Sequence, residues 1–171
     1  HRDLHSFPTR RSSDLLLEHP PTITIGRAGG RDHLHLSAET LRSDGVDVID
    51  CDRGGDVTAH GPGQLTIYAV FDLSVFGKDV GAHIRRLEQV ALDVMAEYGI
   101  AGSRISGKSG AWVIDGSGTR KLCAVGIGVR HWVAYHGLGF NVNPSQKLER
   151  LFGSMTPCGI QGGATDRKSV V

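Results

Sequence analysis

The densest cluster of chemically useful residues is the stretch 53–64, which reads RGGDVTAHGPGQ. Its four glycines permit positive φ and let backbone N–H groups approach a ligand closely. Arg53, Thr58 and His60 add hydrogen-bonding side chains at fixed offsets. The GxxxxGK[ST] spacing of a phosphate-binding P-loop is absent. The stretch favours a ligand-binding loop, but a tight turn between two strands explains the glycines equally well.

A candidate nucleophile is Cys158, which stands between Pro157 and Gly159 and therefore on irregular backbone. Cys123 lies between Leu122 and Ala124 in an apolar run and is typical of a buried thiol. An unaided thiol titrates near pH 8.5, so nucleophilic work at neutral pH needs a cation or a base close by. The alternative for any single cysteine is a small apolar core residue.

Lys121 is the candidate partner of that thiol, because it begins the apolar run 122–129 and follows Arg120. A lysine that exchanges protons with Cys158 must be brought to it by the fold. Most lysines at such positions are solvated strand ends, and this alternative remains open on the sequence alone.

Glycines also interrupt two strand-like runs, at Gly126 and Gly128 and again at Gly137 and Gly139. Glycine weakens a strand interior unless a ligand or another backbone lies against it. The pattern predicts a slot that has a backbone floor and apolar walls and would suit a thin apolar chain. A pair of β-bulges is the alternative.

The elements that must position these residues follow from hydrophobic periodicity. Apolar residues at three- and four-residue spacing predict one long helix over 79–98, and we expect its stripe to pack on a sheet: Ile84, Leu87, Val90, Ala91, Val94 and Tyr98. Ser37 can cap a short helix that carries Leu41 and ends near Gly45. Strands are predicted at 22–25, 46–49, 67–73, 111–114, 121–129 and 132–142, with 53–64 as a loop and 115–118 as a turn. The fold class is therefore α/β, with a mixed, largely antiparallel sheet and packed helices.

Composition excludes several classes of function. The three cysteines fit no metal-ligand spacing and, being odd in number, no disulfide framework, which favours a reducing, cytoplasmic setting. No apolar run approaches the roughly 20 residues of a membrane span. The formal net charge is +1, and residues 1–15 and 166–171 each contribute one positive charge, so the remainder carries −1. We therefore predict no metal, no membrane insertion and no nucleic-acid partner.

The two ends are expected to be non-native. DNA that encodes residues 166–171 has a reverse complement that encodes residues 10–14 in another frame, and this DNA resembles a sequencing-library adapter. We therefore expect adapter-encoded ends at 1–15 and 166–171, and a truncated catalytic domain at 16–165.

In combination, four motifs resemble those of the lipoyl(octanoyl) transferases of lipoate biosynthesis. RGGDVTAHGPGQL, RKLCAVGIGV, HGLGFNVN and PCGI occur in the order and approximate spacing of that family. The resemblance covers residues 16–165 and implies a fold similar to the biotin/lipoate ligase catalytic domain. Ala59 stands where the family more often has an aromatic residue, and Gly139 where alanine is usual, and both changes are expected to widen the acyl slot.

The resemblance implies a role for each matching position. Cys158 matches the acyl-thioester cysteine, and Lys121 matches the lysine that lowers the pKa of that thiol and shuttles protons. The matching substrate-binding residues form three stretches: Arg53, Gly54, Gly55, Asp56, Val57, Thr58, Ala59 and His60; Ala124, Val125 and Gly126; Gly137, Leu138 and Gly139.

The implied reaction moves an octanoyl group from octanoyl-acyl carrier protein to Cys158 and then to a lysine of a lipoyl domain. The acceptors would be lipoyl domains of 2-oxoacid dehydrogenases and the glycine cleavage H protein. No cofactor is implied, since a thioester donor needs no ATP. Three alternatives remain: an ATP-dependent lipoate or biotin ligase, an acyl-binding module without turnover, and a truncated chain that is inactive.

Overall fold

The structure is a computed structural model, which describes residues 13–156. Cys158 and the ends 1–12 and 157–171 lie outside the described residues. The larger of two sheets has six strands in the order β1-β5-β9-β8-β7-β6, and every neighbouring pair is antiparallel. Its strands are β1 Ser13–Leu17, β5 Gln64–Asp72, β6 Gly102–Ile105, β7 Lys108–Asp115, β8 Gly118–Arg130 and β9 Val133–Asn141.

The smaller sheet has three strands in the order β3-β2-β4: β2 Thr22–Ile25, β3 Asp47–Asp50 and β4 Val57–His60. β2 runs parallel to β3 and antiparallel to β4. Together the sheets confirm the predicted mixed, largely antiparallel α/β class, although the one parallel pair belongs to a separate sheet.

Within residues 13–156, three α-helices cover the sheets: α1 Ala38–Ser43, α2 Val80–Glu97 and α3 Gln146–Gly153. The hydroxyl of Ser37 accepts a hydrogen bond from the Thr40 N–H, which confirms the predicted cap of α1. Two hydrophobic clusters result. One joins the smaller sheet to Leu41 of α1 and Leu148 of α3, and the other joins the larger sheet to α2.

The turn between β8 and β9 explains where β9 begins. Arg130 pairs with Val133, so His131 and Trp132 form a two-residue connection. Both have positive φ, at 50° and 64°. Two central residues of positive φ match a type I′ turn, whose twist suits a hairpin. Trp132 therefore belongs to the turn, although the sequence pattern placed it in the strand.

Two further predictions about elements were wrong. The segment 53–64 is not all loop, because β4 occupies Val57–His60 within it and pairs with β2. The helix 79–98 exists as α2, but three residues of its predicted stripe, Val90, Val94 and Tyr98, are exposed. The buried face instead contains His83 and Glu88 beside Leu87, Ala91 and Met95.

Glu88 is buried in the place of an apolar residue because its charge is paired. Its carboxylate accepts a hydrogen bond from Gly110 N–H at 2.9 Å and one from Arg104 Nε at 3.1 Å. A buried carboxylate is tolerated only with such partners. Periodicity of apolar residues alone therefore could not place this face of α2.

The predicted boundary between residues 15 and 16 falls inside β1, whose Leu15 and Leu16 pair with Tyr68 and Ile67. A strand pairs through its backbone whether its residues are native or adapter-encoded. The pairing of β1 therefore does not test the expectation of non-native ends, which stays a prediction. Among residues 13–156, no helix is long and apolar enough to cross a membrane.

Candidate active site

A cavity of about 560 Å³ lies between the polar face of the smaller sheet and the β8–β9 part of the larger sheet. The strand alternation of β2 and β4 builds one wall, since Ile23 and Ala59 enter the core while Thr24 and His60 face the cavity. Lys121 and all but one of the predicted substrate-binding residues line this cavity. The chain thus brings together three stretches that are distant in sequence.

The exception among the predicted residues is Ala59. Its side chain is completely buried in the core of the smaller sheet, beside Ile23 and Val57. The small side chain at position 59 therefore does not widen the cavity, contrary to the expectation from the sequence. Only its backbone takes part here, because its carbonyl accepts a hydrogen bond from Gln64 Nε2 at 3.3 Å.

The glycine-rich loop is fixed across the floor of the cavity by Arg53, whose side chain is almost completely buried. The guanidinium donates to the Thr24 carbonyl at 2.7 Å and to the Thr24 hydroxyl at 2.9 Å. Gly54 N–H donates to the Ile127 carbonyl at 2.8 Å. A Cβ on Gly126 would lie 3.1 Å from the Gly54 carbonyl oxygen. The loop can therefore cross β8 at this point because residue 126 has no side chain.

The strand glycines form a continuous floor and not a pair of bulges. β8 and β9 pair without a register shift from Cys123–Phe140 to Arg130–Val133. Within this ladder Gly126 is opposite Gly137, and Ala124 is opposite Gly139. This regular pairing supports the predicted slot over the bulge alternative. The space at Gly139 is limited, since a Cβ there would lie 3.1 Å from Gln64 Oε1.

A hydrogen-bonded chain crosses one wall of the cavity. His60 Nδ1 lies 2.7 Å from Gln64 Oε1, and Gln64 Nε2 donates to Asn141 Oδ1 at 2.9 Å. Asn141 Nδ2 in turn lies 3.5 Å from the Lys121 carbonyl. Burial lowers the pKa of His60 to about 4, so its imidazole is neutral at pH 7. A neutral imidazole adds polarity to this wall without adding charge.

A β-bulge directs Lys121 into the cavity. Cys123 faces the core, and regular alternation would send Lys121 to the same side. The register between β7 and β8 shifts instead: Ala111 pairs with Cys123 and Trp112 with Lys121, which leaves Leu122 as an extra residue. Bulges of this kind re-aim side chains near binding sites. The Lys121 ammonium consequently lies over the Trp112 ring, 4.6 Å from its centroid.

The two cysteines that the structure describes differ sharply. Cys123 is fully buried, as the sequence predicts, and burial raises the pKa of its thiol to about 12. Such a thiol is inert at neutral pH. Cys51 is half-buried and lines the cavity. Its thiol is within reach of a ligand bound in the cavity, and the sequence pattern gave no reason to single it out.

Sequence reasoning also missed a cluster of aromatic and imidazole side chains in the cavity. His19 Nε2 lies 2.7 Å from the Tyr68 hydroxyl, and the His19 and His60 rings are 5.4 Å apart. Nearby, His136 Nε2 lies 2.8 Å from Asp52 Oδ1. Hydrogen bonds with the Tyr135 hydroxyl, which is the largest contributor, and with His136 lower the pKa of Asp52. Alternation along β5 could have indicated Tyr68, but no local signal points to His19.

Chemically, the cavity offers an ammonium, a neutral imidazole and an apolar floor. It has no cluster of carboxylates, and within residues 13–156 no three His, Cys, Asp or Glu side chains are grouped as metal ligands. This arrangement suits a ligand with an apolar tail and a polar head near Lys121. It defines a class of domain that has a ligand-sized cavity between two sheets.

Comparison with known proteins agrees with that class. The sequence profile of the lipoyl protein ligase A/B catalytic domain matches residues 6–168. The chain therefore belongs to the lipoyl protein ligase A/B catalytic domain family.

Within this family the similar curated proteins are octanoyltransferases, which confirms the resemblance seen in the motifs. The octanoyltransferase of Chloroflexus aurantiacus is 46% identical over 154 residues, which is 90% of this chain and 65% of that protein. The octanoyltransferase of Maridesulfovibrio salexigens is 40% identical over 154 residues, 90% of this chain and 69% of that protein. The chain thus spans about two thirds of the length of these relatives.

Solved structures show the same fold at low sequence identity. A bipartite lipoate protein ligase from Thermoplasma acidophilum superimposes with a TM-score of 0.68 at 13% identity, over 86% of this chain and 55% of that one. Lipoate-protein ligase A bound with ATP gives a TM-score of 0.67 at 12% identity, over 86% of this chain and 60% of that one. This likeness confirms the predicted similarity to the lipoate ligase catalytic domain.

Proposed function

We propose that this chain transfers an octanoyl group from octanoyl-acyl carrier protein, through a thioester on Cys158, to a lysine of a lipoyl domain. The family assignment and the 40–46% identity to octanoyltransferases support this proposal. The acceptors would be the lipoyl domains of 2-oxoacid dehydrogenases and the glycine cleavage H protein, and the reaction would take place in the cytoplasm. Residues 16–165 would form the catalytic part of the chain.

The observation that carries the proposal is that one cavity is lined by both Lys121 and Met155. Cys158 follows Met155 by three residues in the sequence, so the chain that carries the candidate nucleophile continues from a residue of the cavity wall. Lys121, the candidate proton carrier, lines the same cavity. The apolar floor of this cavity offers space for the octanoyl tail.

In the first half-reaction, the Cys158 sulfur attacks the thioester carbonyl of the donor. Lys121, acting as the neutral amine, accepts the thiol proton and, as the ammonium so formed, returns it to the departing carrier thiolate, so the octanoyl group becomes bound to Cys158. One thioester replaces another, and the two are nearly equal in energy. The enzyme therefore needs no nucleoside triphosphate for this step.

In the second half-reaction, the ε-amine of the acceptor lysine attacks the Cys158 thioester. Lys121 removes a proton from the attacking amine, the carbon–sulfur bond breaks, and the Cys158 thiolate recovers a proton. The product is an amide, which is more stable than the thioester. This difference in stability drives the transfer forward.

The proposal is tested by intact-protein mass spectrometry after incubation with octanoyl-acyl carrier protein without ATP. We expect a mass increase of one octanoyl group that hydroxylamine removes, and that Cys158→Ala abolishes. Cys123→Ala and Cys51→Ser are the matched controls, because one removes an inert thiol and the other a thiol in the cavity. Both should retain the adduct.

Each other outcome identifies a different function. An adduct lost in Cys51→Ser would move the nucleophile to that residue. Modification of a lipoyl domain that requires ATP and survives Cys158→Ala would assign the chain to the ligases. Binding of the octanoyl group without any covalent adduct on the folded protein would leave an acyl-binding module.

A further inference from the structure

The segment 26–36, here called the connecting segment, leaves β2 and lies against the glycine-rich loop. Three consecutive N–H groups of the connecting segment donate to carbonyls of that loop. They are Gly26 N–H to Asp56 O at 3.1 Å, Arg27 N–H to Arg53 O at 3.0 Å, and Ala28 N–H to Gly55 O at 3.1 Å. The connecting segment is thus bound to the loop along its backbone.

The far end of the connecting segment binds the residues that lead to Cys158. Leu34 forms an isolated antiparallel bridge with Met155. Two backbone hydrogen bonds flank it, from His35 N–H to Ser154 O and from Thr156 N–H to His33 O, each at 2.9 Å. Cys158 follows Thr156 by two residues in the sequence. The connecting segment therefore anchors the chain immediately before the candidate nucleophile.

One side chain joins the two ends of this arrangement. His33 Nδ1 lies 2.7 Å from Asp56 Oδ1, and the His33 carbonyl is the group that accepts from Thr156. The Asp56 carboxylate is 3% exposed and also accepts from Val57 N–H at 2.7 Å. A Cβ on Gly29 would lie 2.8 Å from Asp56 Oδ1, so glycine is required for this close packing.

We propose that His33 is a positioning residue that fixes the segment leading to Cys158 relative to the loop 53–60. The inference rests on the proposed function, since it gives His33 a part in aligning the thiol with the acyl group. Histidine has a specific consequence at this position. The Asp56 hydrogen bond raises the pKa of His33 above its ordinary value, and Asp32, whose carboxylate lies 3.9 Å from Nε2, raises it further.

The sign of the pH effect follows from that direction. A raised pKa means that the ion pair stabilises the folded arrangement while His33 is protonated. This contribution is complete below pH 6.5 and is lost as the pH rises through the raised pKa. The Cys158 thiol should therefore be less well aligned at alkaline pH. This loss arises from deprotonation of His33 and not from titration of Cys158.

The test compares His33→Ala and His33→Asn with the parent protein in the rate of octanoyl-adduct formation from pH 6 to pH 9. Asparagine places a donor near the position of Nδ1 but does not titrate. We expect His33→Ala to react about tenfold more slowly, because small displacements of a reacting group are costly. His33→Asn should restore most of the rate at pH 7. The rate of adduct formation in the parent, divided by the rate in His33→Asn, should fall with rising pH because only the parent loses the His33 proton. Titration of the thiol is common to both proteins and cancels in this ratio.

Arg31→Ala is the matched control, because Arg31 and His33 are the two ends of one turn of 3₁₀ helix, Arg31–His33, and Arg31 pairs with the exposed Asp50. The rate of adduct formation in Arg31→Ala, divided by the rate in the parent, should not change with pH. Equal rates and pH profiles for the parent and His33→Ala would overturn the proposal. It would also be overturned if His33→Asn folds but does not recover the rate of adduct formation at pH 7. If His33→Ala fails to fold, the pH dependence of the Asn ratio decides.

A second readout separates this inference from the proposed function. The rate of Cys158 alkylation by iodoacetamide needs no acyl donor. A parent protein that forms no octanoyl adduct refutes the proposed function. The alkylation rate of Cys158 then still reports whether His33 positions the thiol, with alkylation of Cys51 as an internal reference. Unchanged Cys158 alkylation in His33→Ala would refute the inference alone.

Discussion

At the scale of single residues, the contact between Lys121 and Trp112 decides how the candidate proton carrier is held. The ammonium lies 4.6 Å from the centroid of an indole that is 5% exposed. A cation over an aromatic face gains about 0.5–2 kcal/mol, depending on desolvation. Trp112 therefore orients Lys121 by its ring, and any residue with a similar ring should do the same.

We predict that Trp112→Leu lowers the rate of octanoyl transfer about tenfold, while Trp112→Phe retains most of it. Leucine removes the aromatic face and phenylalanine keeps it. Single-turnover transfer to a lipoyl domain measures both, and thermal melting shows whether each variant is folded. Similar losses in the two variants would mean that the indole N–H, and not the ring, is the important group. Among the described residues this N–H has no hydrogen-bond partner.

At the scale of elements, the glycines of β9 are required for strand packing as well as for the cavity floor. Gly137 pairs with Tyr68 of β5, and a Cβ at Gly137 would lie only 2.2 Å from the Ile67 carbonyl oxygen. That oxygen belongs to the backbone of a central strand and cannot move without disturbing the sheet.

We predict that Gly137→Ala lowers the free energy of unfolding by about 2–3 kcal/mol, as expected for overpacking in a rigid site. Gly116→Ala is the control, because its Cβ would meet nothing within 4 Å and its φ is not positive. That variant should change stability by less than about 0.5 kcal/mol. Urea denaturation of both variants measures the difference, and equal midpoints would show that β5 and β9 can separate locally.

The same scale shows what the sequence could and could not predict. The strands around Ile23, Val48 and Leu138 followed from local patterns, and so did the cap at Ser37. β4 was hidden because its four residues are surrounded by glycines that also suit a loop. α3 was not predicted, because its apolar residues are too few to show a period over eight positions.

Only those residues of the site that belong to a sequence motif could be predicted. The loop at Arg53 and the glycines at 126 and 137 were found, and the structure places them around one cavity. The contact of Lys121 with Trp112 was not, because it depends on the extra residue at Leu122, and a bulge leaves no reliable trace in sequence. The pairing of His33 with Asp56 spans 23 positions and arises from tertiary packing.

At the scale of the whole molecule, the cavity lies between two separate hydrophobic clusters, one for each sheet. In the proposed octanoyl transfer, its size and apolar floor would make tail length the basis of selectivity. Each buried methylene contributes about 0.8 kcal/mol, so two methylenes change binding by about tenfold.

We predict that a hexanoyl donor is used about tenfold less efficiently than an octanoyl donor, measured as kcat/KM with the same carrier protein. The loss should appear mainly in binding, since the reacting thioester is unchanged. The acceptor domain and its concentration are held constant as the control. Equal efficiencies from butanoyl to decanoyl donors would show that the tail remains outside the cavity.

An acyl tail bound in this cavity would have a second role. A folded interior is normally filled by the chain itself, at the density of an organic crystal. Here the space between the clusters is left for a guest, and an acyl tail lying in it would join both clusters into one continuous interior. The substrate would then serve as a removable piece of the core, and each turnover would complete the packing of the protein and undo it again.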